Sequence, residues 1–119
     1  MLVDNEPDVL LSLKIVLEEN GFQVDSFTDP LLAIEEFRAN VYDLLILDIQ
    51  MPTVNGFELY KKIRKIDDKV RVCFTTAGEM NYYQFRNEIF PALDNNCYIQ
   101  KPIENEVLIK RLNRILSAK

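Results

Sequence analysis

The chain has 119 residues, with 14 Lys and Arg against 19 Asp and Glu, and no histidine. An apolar share of 48% with 28% charged residues is that of a folded domain, so disordered, collagenous and low-complexity classes fall away, and a single domain over 1–119 is expected. The formal charge of −5 argues against a nucleic-acid-binding face, and the missing histidine excludes Ser-His and Cys-His pairs, His-ligated zinc and a phosphohistidine on this chain. Gly21, Gly56 and Gly78 lie too far apart to write a Walker loop or G-x-G-x-x-G.

The predicted elements alternate along the chain. Leu2-Val3 reads as a short apolar strand, and Pro7 opens a helix with Val9, Leu10, Leu13, Val16 and Leu17 on one face. Asn20-Gly21 closes that helix, and Phe22 to Phe27 alternates as a strand does. Asp29-Pro30 pairs an N-cap with a first-turn proline and starts a second helix that turns Ala33, Ile34 and Phe37 inward. Leu44 to Leu47 is a continuous apolar run, as expected of a strand buried on both faces. Asn55-Gly56 begins a third helix holding Leu59, Ile63 and Ile66. Val70 to Thr75 is a fourth strand, Glu79 to Phe90 a fourth helix, and Cys97 to Gln100 a fifth strand. Ile103 to Leu116 forms the last helix, with Leu108, Leu112 and Ile115 on its stripe. Five strands alternating with five helices predict an α/β fold: a doubly wound parallel sheet, order 2-1-3-4-5, with helices on both faces.

Cys73 and Cys97 sit in apolar contexts and read as buried reduced thiols. No apolar run approaches the roughly 20 residues that cross a bilayer, and no secretory segment is written, so a cytoplasmic protein without membrane contact is expected.

In such sheets ligands gather at the carboxyl ends of the strands. Asp4, Asn5 and Glu6 follow the first strand, Asp48 the third, Thr75-Thr76 the fourth, and Lys101-Pro102 the fifth. If the first and third strands are neighbours, Asp4 and Asp48 face each other, and two carboxylates ~4 Å apart repel by ~4 kcal/mol at an effective dielectric near 20. A hard divalent cation with oxygen ligands relieves that repulsion. Singly, each residue has a plain structural use: Asp4 as a helix cap, Asp48 as a turn former, Thr76 as a capping hydroxyl, Lys101 as a solvated charge. Together they make a site for a phosphoryl group with a carboxylate nucleophile.

Leu2-Val3-Asp4-Asn5-Glu6-Pro7, Leu47 to Gly56 with Asp48-Ile49-Gln50-Met51-Pro52, Thr75-Thr76-Ala77 and Tyr98-Ile99-Gln100-Lys101-Pro102 together resemble the receiver domain of two-component response regulators, of the chemotaxis-regulator kind. The resemblance covers essentially the whole chain. It implies that Asp48 accepts a phosphoryl group from a histidine kinase or a small phosphodonor. It further implies that Asp4, Asn5, Asp48 and the main-chain carbonyl of Gln50 hold Mg²⁺ or Mn²⁺, that Thr76 and Lys101 contact the phosphoryl oxygens, and that Tyr98 is an aromatic switch turning inward when Thr76 is drawn to the phosphate. A cis Lys101-Pro102 bond is implied as well. Leu11 and Ile15, opposite the inward stripe of the first helix, and Ser12 between them are candidates for the kinase contact.

Two departures stand out. Asn5 occupies the place of the family's usual second acid, which predicts a weaker metal site, with Glu6 a poorly placed substitute. Phe90 to Asn96 replaces the usual small-residue turn before the fifth strand, and Tyr82, Tyr83, Phe85 and Phe90 give that region aromatic weight. The competing reading is a pseudo-receiver that works as a phosphorylation-independent interaction module. An aspartate-nucleophile phosphohydrolase needs Asp-x-Asp, and position 50 is Gln. A flavodoxin-like cofactor binder needs a Ser/Thr-rich first loop, where Asp4 and Glu6 would repel phosphate. Such a domain acts once on itself rather than as a turnover enzyme. The output is expected to run through an unidentified downstream protein or through sequence beyond this chain. The short first strand suits a trimmed N-terminus, and the last helix offers a face for a homodimer.

Overall fold

The computed structural model describes residues 1–76 and 98–117. Its elements in chain order are β1 (Leu2–Val3), α1 (Pro7–Glu19), β2 (Ser26–Phe27), α2 (Pro30–Glu36), β3 (Leu44–Asp48), α3 (Gly56–Arg64), β4 (Arg71–Thr76), β5 (Tyr98–Gln100) and α4 (Asn105–Ser117). All the strand pairs are parallel and the order is β2-β1-β3-β4-β5. The fourth predicted helix, 79–90, lies outside the described residues, as does Cys97.

Strand alternation divides the core into two. Val3, Leu45, Leu47, Val72, Phe74 and Tyr98 point to the side covered by Ala33 of α2 and by Phe57, Leu59 and Ile63 of α3. Leu2, Leu44, Ile46, Cys73 and Ile99 point the other way, onto Leu10 and Leu17 of α1 and Leu108, Leu112 and Ile115 of α4. Successive residues thus feed the two layers, which is why all five residues of β3 are buried and Leu44 to Leu47 reads as an unbroken apolar run.

The caps follow local chemistry. Asp29 accepts from the Leu31 N–H at 2.9 Å and Pro30 supplies the first turn of α2. Asn55 and Glu58 form a reciprocal capping box at the start of α3. Asn20 ends α1, and Gly21 follows at φ +87°, a conformation that costs glycine little.

Several predicted boundaries move. The second strand is Ser26–Phe27 rather than 22–27, because only those residues reach register with Leu2 and Val3; Phe22 and Val24 instead pack as half-buried loop residues on the α1/α4 side. The third strand extends one residue to Asp48, the fourth is Arg71–Thr76, and the last helix starts at Asn105; the described part of the fifth strand is Tyr98–Gln100. Ile66 is not part of the third helix's inward stripe: α3 ends at Arg64, and Ile66 lies in the following turn, 47% exposed. The α1 stripe is graded, with Leu10 and Leu17 buried and Val9, Leu13 and Val16 half-buried.

Candidate functional site at the carboxyl edge of the sheet

β1 and β3 are hydrogen-bonded neighbours with Val3 opposite Leu47, so the residues that follow, Asp4 and Asp48, emerge side by side. The main chain fixes both: the Asp4 N–H donates to Phe27 O at 3.1 Å, and the Ile49 N–H donates to Thr75 O at 2.8 Å. The Lys101 N–H donates to Thr76 O at 2.7 Å, bringing the end of β5 to the same edge, and the Lys101-Pro102 bond is cis.

The side chains then converge. Lys101 Nζ lies 2.9 Å from Asp4 Oδ2 and 3.9 Å from Asp48 Oδ2, a bridging cation between two carboxylates. Asp4 is 1% exposed and Asp48 4%, so the oxygens of both need partners. Asp4 Oδ1 accepts from the Glu6 N–H at 3.0 Å, and Asp48 Oδ1 from the Gln50 N–H at 3.2 Å. Asp4 therefore ties down the entry to α1 without being its cap residue, a position that Glu6 holds with no side-chain bond. Burial pushes the Asp48 carboxyl up to about 6. Lys101 opposes that rise, Asp4 adds to it, the Gln50 N–H opposes it, and Glu6 adds a last contribution.

The end of the half-buried Asn5 amide reaches 3.2 Å from both Gln50 O and Asp48 Oδ2. Among the described residues no three His, Cys, Asp or Glu side chains converge on one point. A cation here would rest on two carboxylates, an amide oxygen and a carbonyl. Adjacent ligands of an octahedral Mg²⁺ stand about 3.0 Å apart, from metal–oxygen distances of about 2.1 Å. With the Asn5 amide turned to present Oδ1, the donors are all hard oxygens of the kind such an ion takes.

A model of the response regulator receiver domain matches residues 1–113. The chain belongs to the response-regulator receiver family. It is 32% identical over 116 residues to the regulatory protein VanRB of Enterococcus faecalis, covering 98% of this chain and 51% of that protein. It is also 32% identical over 120 residues to the probable transcriptional regulator ycf29 of Porphyra purpurea, covering 98% of this chain and 55% of that one. The chain thus spans about half the length of these curated relatives. Among solved structures, the non-phosphorylated HemR receiver domain of Leptospira biflexa matches with a TM-score of 0.83 at 28% identity, over 99% of this chain and 93% of that one. The chemotaxis protein CheY4 of Vibrio cholerae shares the fold, with a TM-score of 0.79 at 23% identity, over 96% of this chain and 94% of that one.

On this receiver the predicted residues divide into three groups. Asp4, Asn5, Asp48, Gln50 and Lys101 are brought together by the contacts above. Thr76 is buried at the end of β4, one residue past the Asp48–Thr75 register pair. Tyr98 is buried in the α2/α3-side core, its ring 5.5 Å from Phe74 and 6.4 Å from Phe57, and its carbonyl accepts from Arg111 Nη1 at 2.9 Å. The ring is therefore already inward in this structure. Leu11, Ser12 and Ile15 stand apart, exposed on α1, although Ser12 also lines a groove of about 550 Å³ with Glu6, Asp8, Val9, Lys101 and Pro102.

One residue that positions the site figures in the sequence as a helix start and as the last residue of the Leu47–Gly56 stretch. A Cβ on Gly56 would stand 2.5 Å from the Asp48 carbonyl oxygen and 3.1 Å from Ile49 Cα, so the first turn of α3 lies directly on the backbone of the central carboxylate. The Gly56 N–H donates back to Ile49 O at 3.2 Å. The signal available in the sequence was a glycine eight residues after Asp48, at the point where a helix must return to the strand it left.

Proposed function

We propose that this receiver accepts a phosphoryl group on Asp48 from a histidine kinase, aided by Mg²⁺ or Mn²⁺, and passes the change to a downstream protein. The reading is carried by one observation: Asp48 is a buried carboxylate at a strand end, with Lys101 and Asn5 against it and Asp4 beside it on the neighbouring strand. An Asp48 oxygen attacks phosphorus in line; the bond from phosphorus to the donor's nitrogen or oxygen breaks, and its electron pair leaves with the donor. Asp4, Asn5, Asp48 and Gln50 O would hold the divalent ion, which when bound supplies charge neutralisation on the phosphoryl oxygens. Lys101 moves from its pairing with Asp4 toward the new anion, and Thr76 donates its hydroxyl to a phosphoryl oxygen. The acyl phosphate adds about two negative charges at an edge where two carboxylates are already buried. Thr76 and Tyr98 shift the balance of conformations at the face that Tyr98 and α4 border. The product is the modified chain itself, so no catalytic turnover is assigned.

The same reading assigns the kinase contact to Leu11, Ser12 and Ile15 on α1; in support, Ser12 lines a groove that Lys101 also lines. No helix among the described residues is long and apolar enough to cross a membrane, which suits a cytoplasmic role. Residues 1–119 form one receiver domain in this reading.

One observation favours a second reading, a phosphorylation-independent interaction module: Asn5 can satisfy Asp48 by hydrogen bonding with no cation present. Phosphate-affinity electrophoresis after treatment with acetyl phosphate and Mg²⁺ separates the two. A retarded band that Asp48→Ala abolishes is expected; no retarded band refutes phosphorylation and leaves the interaction module.

A further inference from the structure

An amide has two chemically opposite ends, and at Asn5 one of them points at two acceptors. The atom concerned lies 3.2 Å from Gln50 O and 3.2 Å from Asp48 Oδ2. If that atom is Nδ2, it donates to both oxygens, one of them a carboxylate that Lys101 approaches to 3.9 Å. If it is Oδ1, three oxygens crowd one another and need a cation between them. A carboxylate at this position has no such choice, since both its ends are acceptors.

We propose that the Asn5 amide is a two-position element of this site. Without metal its Nδ2 stands in for the cation by bridging Asp48 Oδ2 and Gln50 O, and a divalent ion enters only when the amide turns its Oδ1 inward. The inference rests on the reading of this edge as a metal-assisted phosphoacceptor site and adds a positioning role that the family's usual acid could not fill. Three consequences follow. Asp48 keeps its orientation in the absence of metal, held by the Gln50 N–H on Oδ1 and by Asn5 on Oδ2. The cation must displace two hydrogen bonds, so its affinity falls below that of a site with an acid at position 5. The resting site also avoids a third buried negative charge beside Asp4 and Asp48.

The test uses the whole 119-residue chain and three forms: the parent, Asn5→Asp and Asn5→Ala. In chelator, the Asn5 side-chain NH₂ signals, identified by their loss in both variants, are expected at hydrogen-bonded positions in a ¹⁵N–¹H spectrum and to shift saturably as Mg²⁺ is added. Calorimetric titration is expected to give Asn5→Asp a Mg²⁺ affinity at least about tenfold above the parent, the factor corresponding to one charge-assisted hydrogen bond. In chelator both variants should melt below the parent, and saturating Mg²⁺ should restore Asn5→Asp but not Asn5→Ala. NH₂ signals unmoved at saturating Mg²⁺, or an Asn5→Ala chain as stable in chelator as the parent, overturns the proposal. A chain whose amide responds to Mg²⁺ but which never gains a phosphoryl group supports the proposal and refutes only the phosphorylation reading.

Discussion

Removing the charge of Asp48 while keeping its shape should stabilise the metal-free protein. Burial raises this carboxyl from an ordinary 3.8 to about 6, so the folded state binds a proton there more readily than the unfolded chain. A raised folded-state value contributes stability that is complete below about pH 4 and is lost as pH climbs to about 6; above that, the carboxylate opposes folding. The difference of about two units corresponds to about 3 kcal/mol, and water at the mouth of the cleft screens it to about 1–2 kcal/mol. Asp48→Asn retains the acceptor for the Gln50 N–H and leaves Lys101 its closer partner Asp4 at 2.9 Å, but it forfeits the bond from Asn5 to Oδ2, which holds the gain to the lower end of that range. Urea denaturation in chelator, followed by far-UV circular dichroism, should give the variant about 1 kcal/mol more stability near pH 7.5, with a melting temperature higher by about 4 °C or more per kcal/mol. Near pH 4 the two proteins should converge. A variant no more stable than the parent near neutrality, or a gap that does not close with acid, would refute the electrostatic reasoning.

Three further substitutions probe the same edge. Gly56→Ala drives a methyl to 2.5 Å from the Asp48 carbonyl oxygen and should cost about 1–3 kcal/mol in urea, despite alanine's better helix propensity, while slowing acetyl phosphate labelling because the phosphoacceptor backbone is displaced; full stability with normal labelling would show that the loop relaxes freely. Lys101→Ala leaves Asp4 and Asp48 facing each other and should lower metal-free stability by about 2 kcal/mol at neutral pH, with Mg²⁺ raising the melting temperature more than in the parent; an unchanged midpoint in chelator would remove Lys101 from the electrostatic balance. Ile15→Glu should reduce phosphotransfer from the cognate kinase at least about tenfold more than it reduces labelling by acetyl phosphate, read from initial rates on phosphate-affinity gels; equal effects on both donors would take α1 out of the kinase contact.

The architecture was legible because its signals are local and repeated. An uninterrupted apolar run as short as Leu44–Leu47 suits a strand covered on both sides, and Asp29-Pro30 and Asn55-Gly56 write their helix starts in capping chemistry. The candidate site was legible for a different reason: in a parallel sheet each strand delivers its next residue to one edge, so Asp4, Asp48, Thr76 and Lys101 share that edge once the order is β2-β1-β3-β4-β5. The physical contacts among them were not. Whether Lys101 sits nearer Asp4 or Asp48 depends on side-chain reach, and the approach of Gly56 to the Asp48 carbonyl depends on how steeply α3 returns to the sheet. Ile66 shows the limit of periodicity, since the helical spacing continued in sequence after the helix had ended at Arg64. Asp67 escaped notice altogether: it reads as one acid of a charged turn, yet it is buried and accepts from the N–H groups of Asn40, Lys69 and Val70, clamping the approach to β4.

The most direct test of the account is chemical location of the phosphoryl group. Protein treated with acetyl phosphate and Mg²⁺ is reduced with borohydride, which converts an acyl phosphate to the corresponding alcohol, and digested for peptide mass spectrometry. The account predicts a single reduced site at Asp48, absent when the phosphodonor is withheld. Reduction at another carboxylate, or none in a folded and metal-saturated sample, would contradict it.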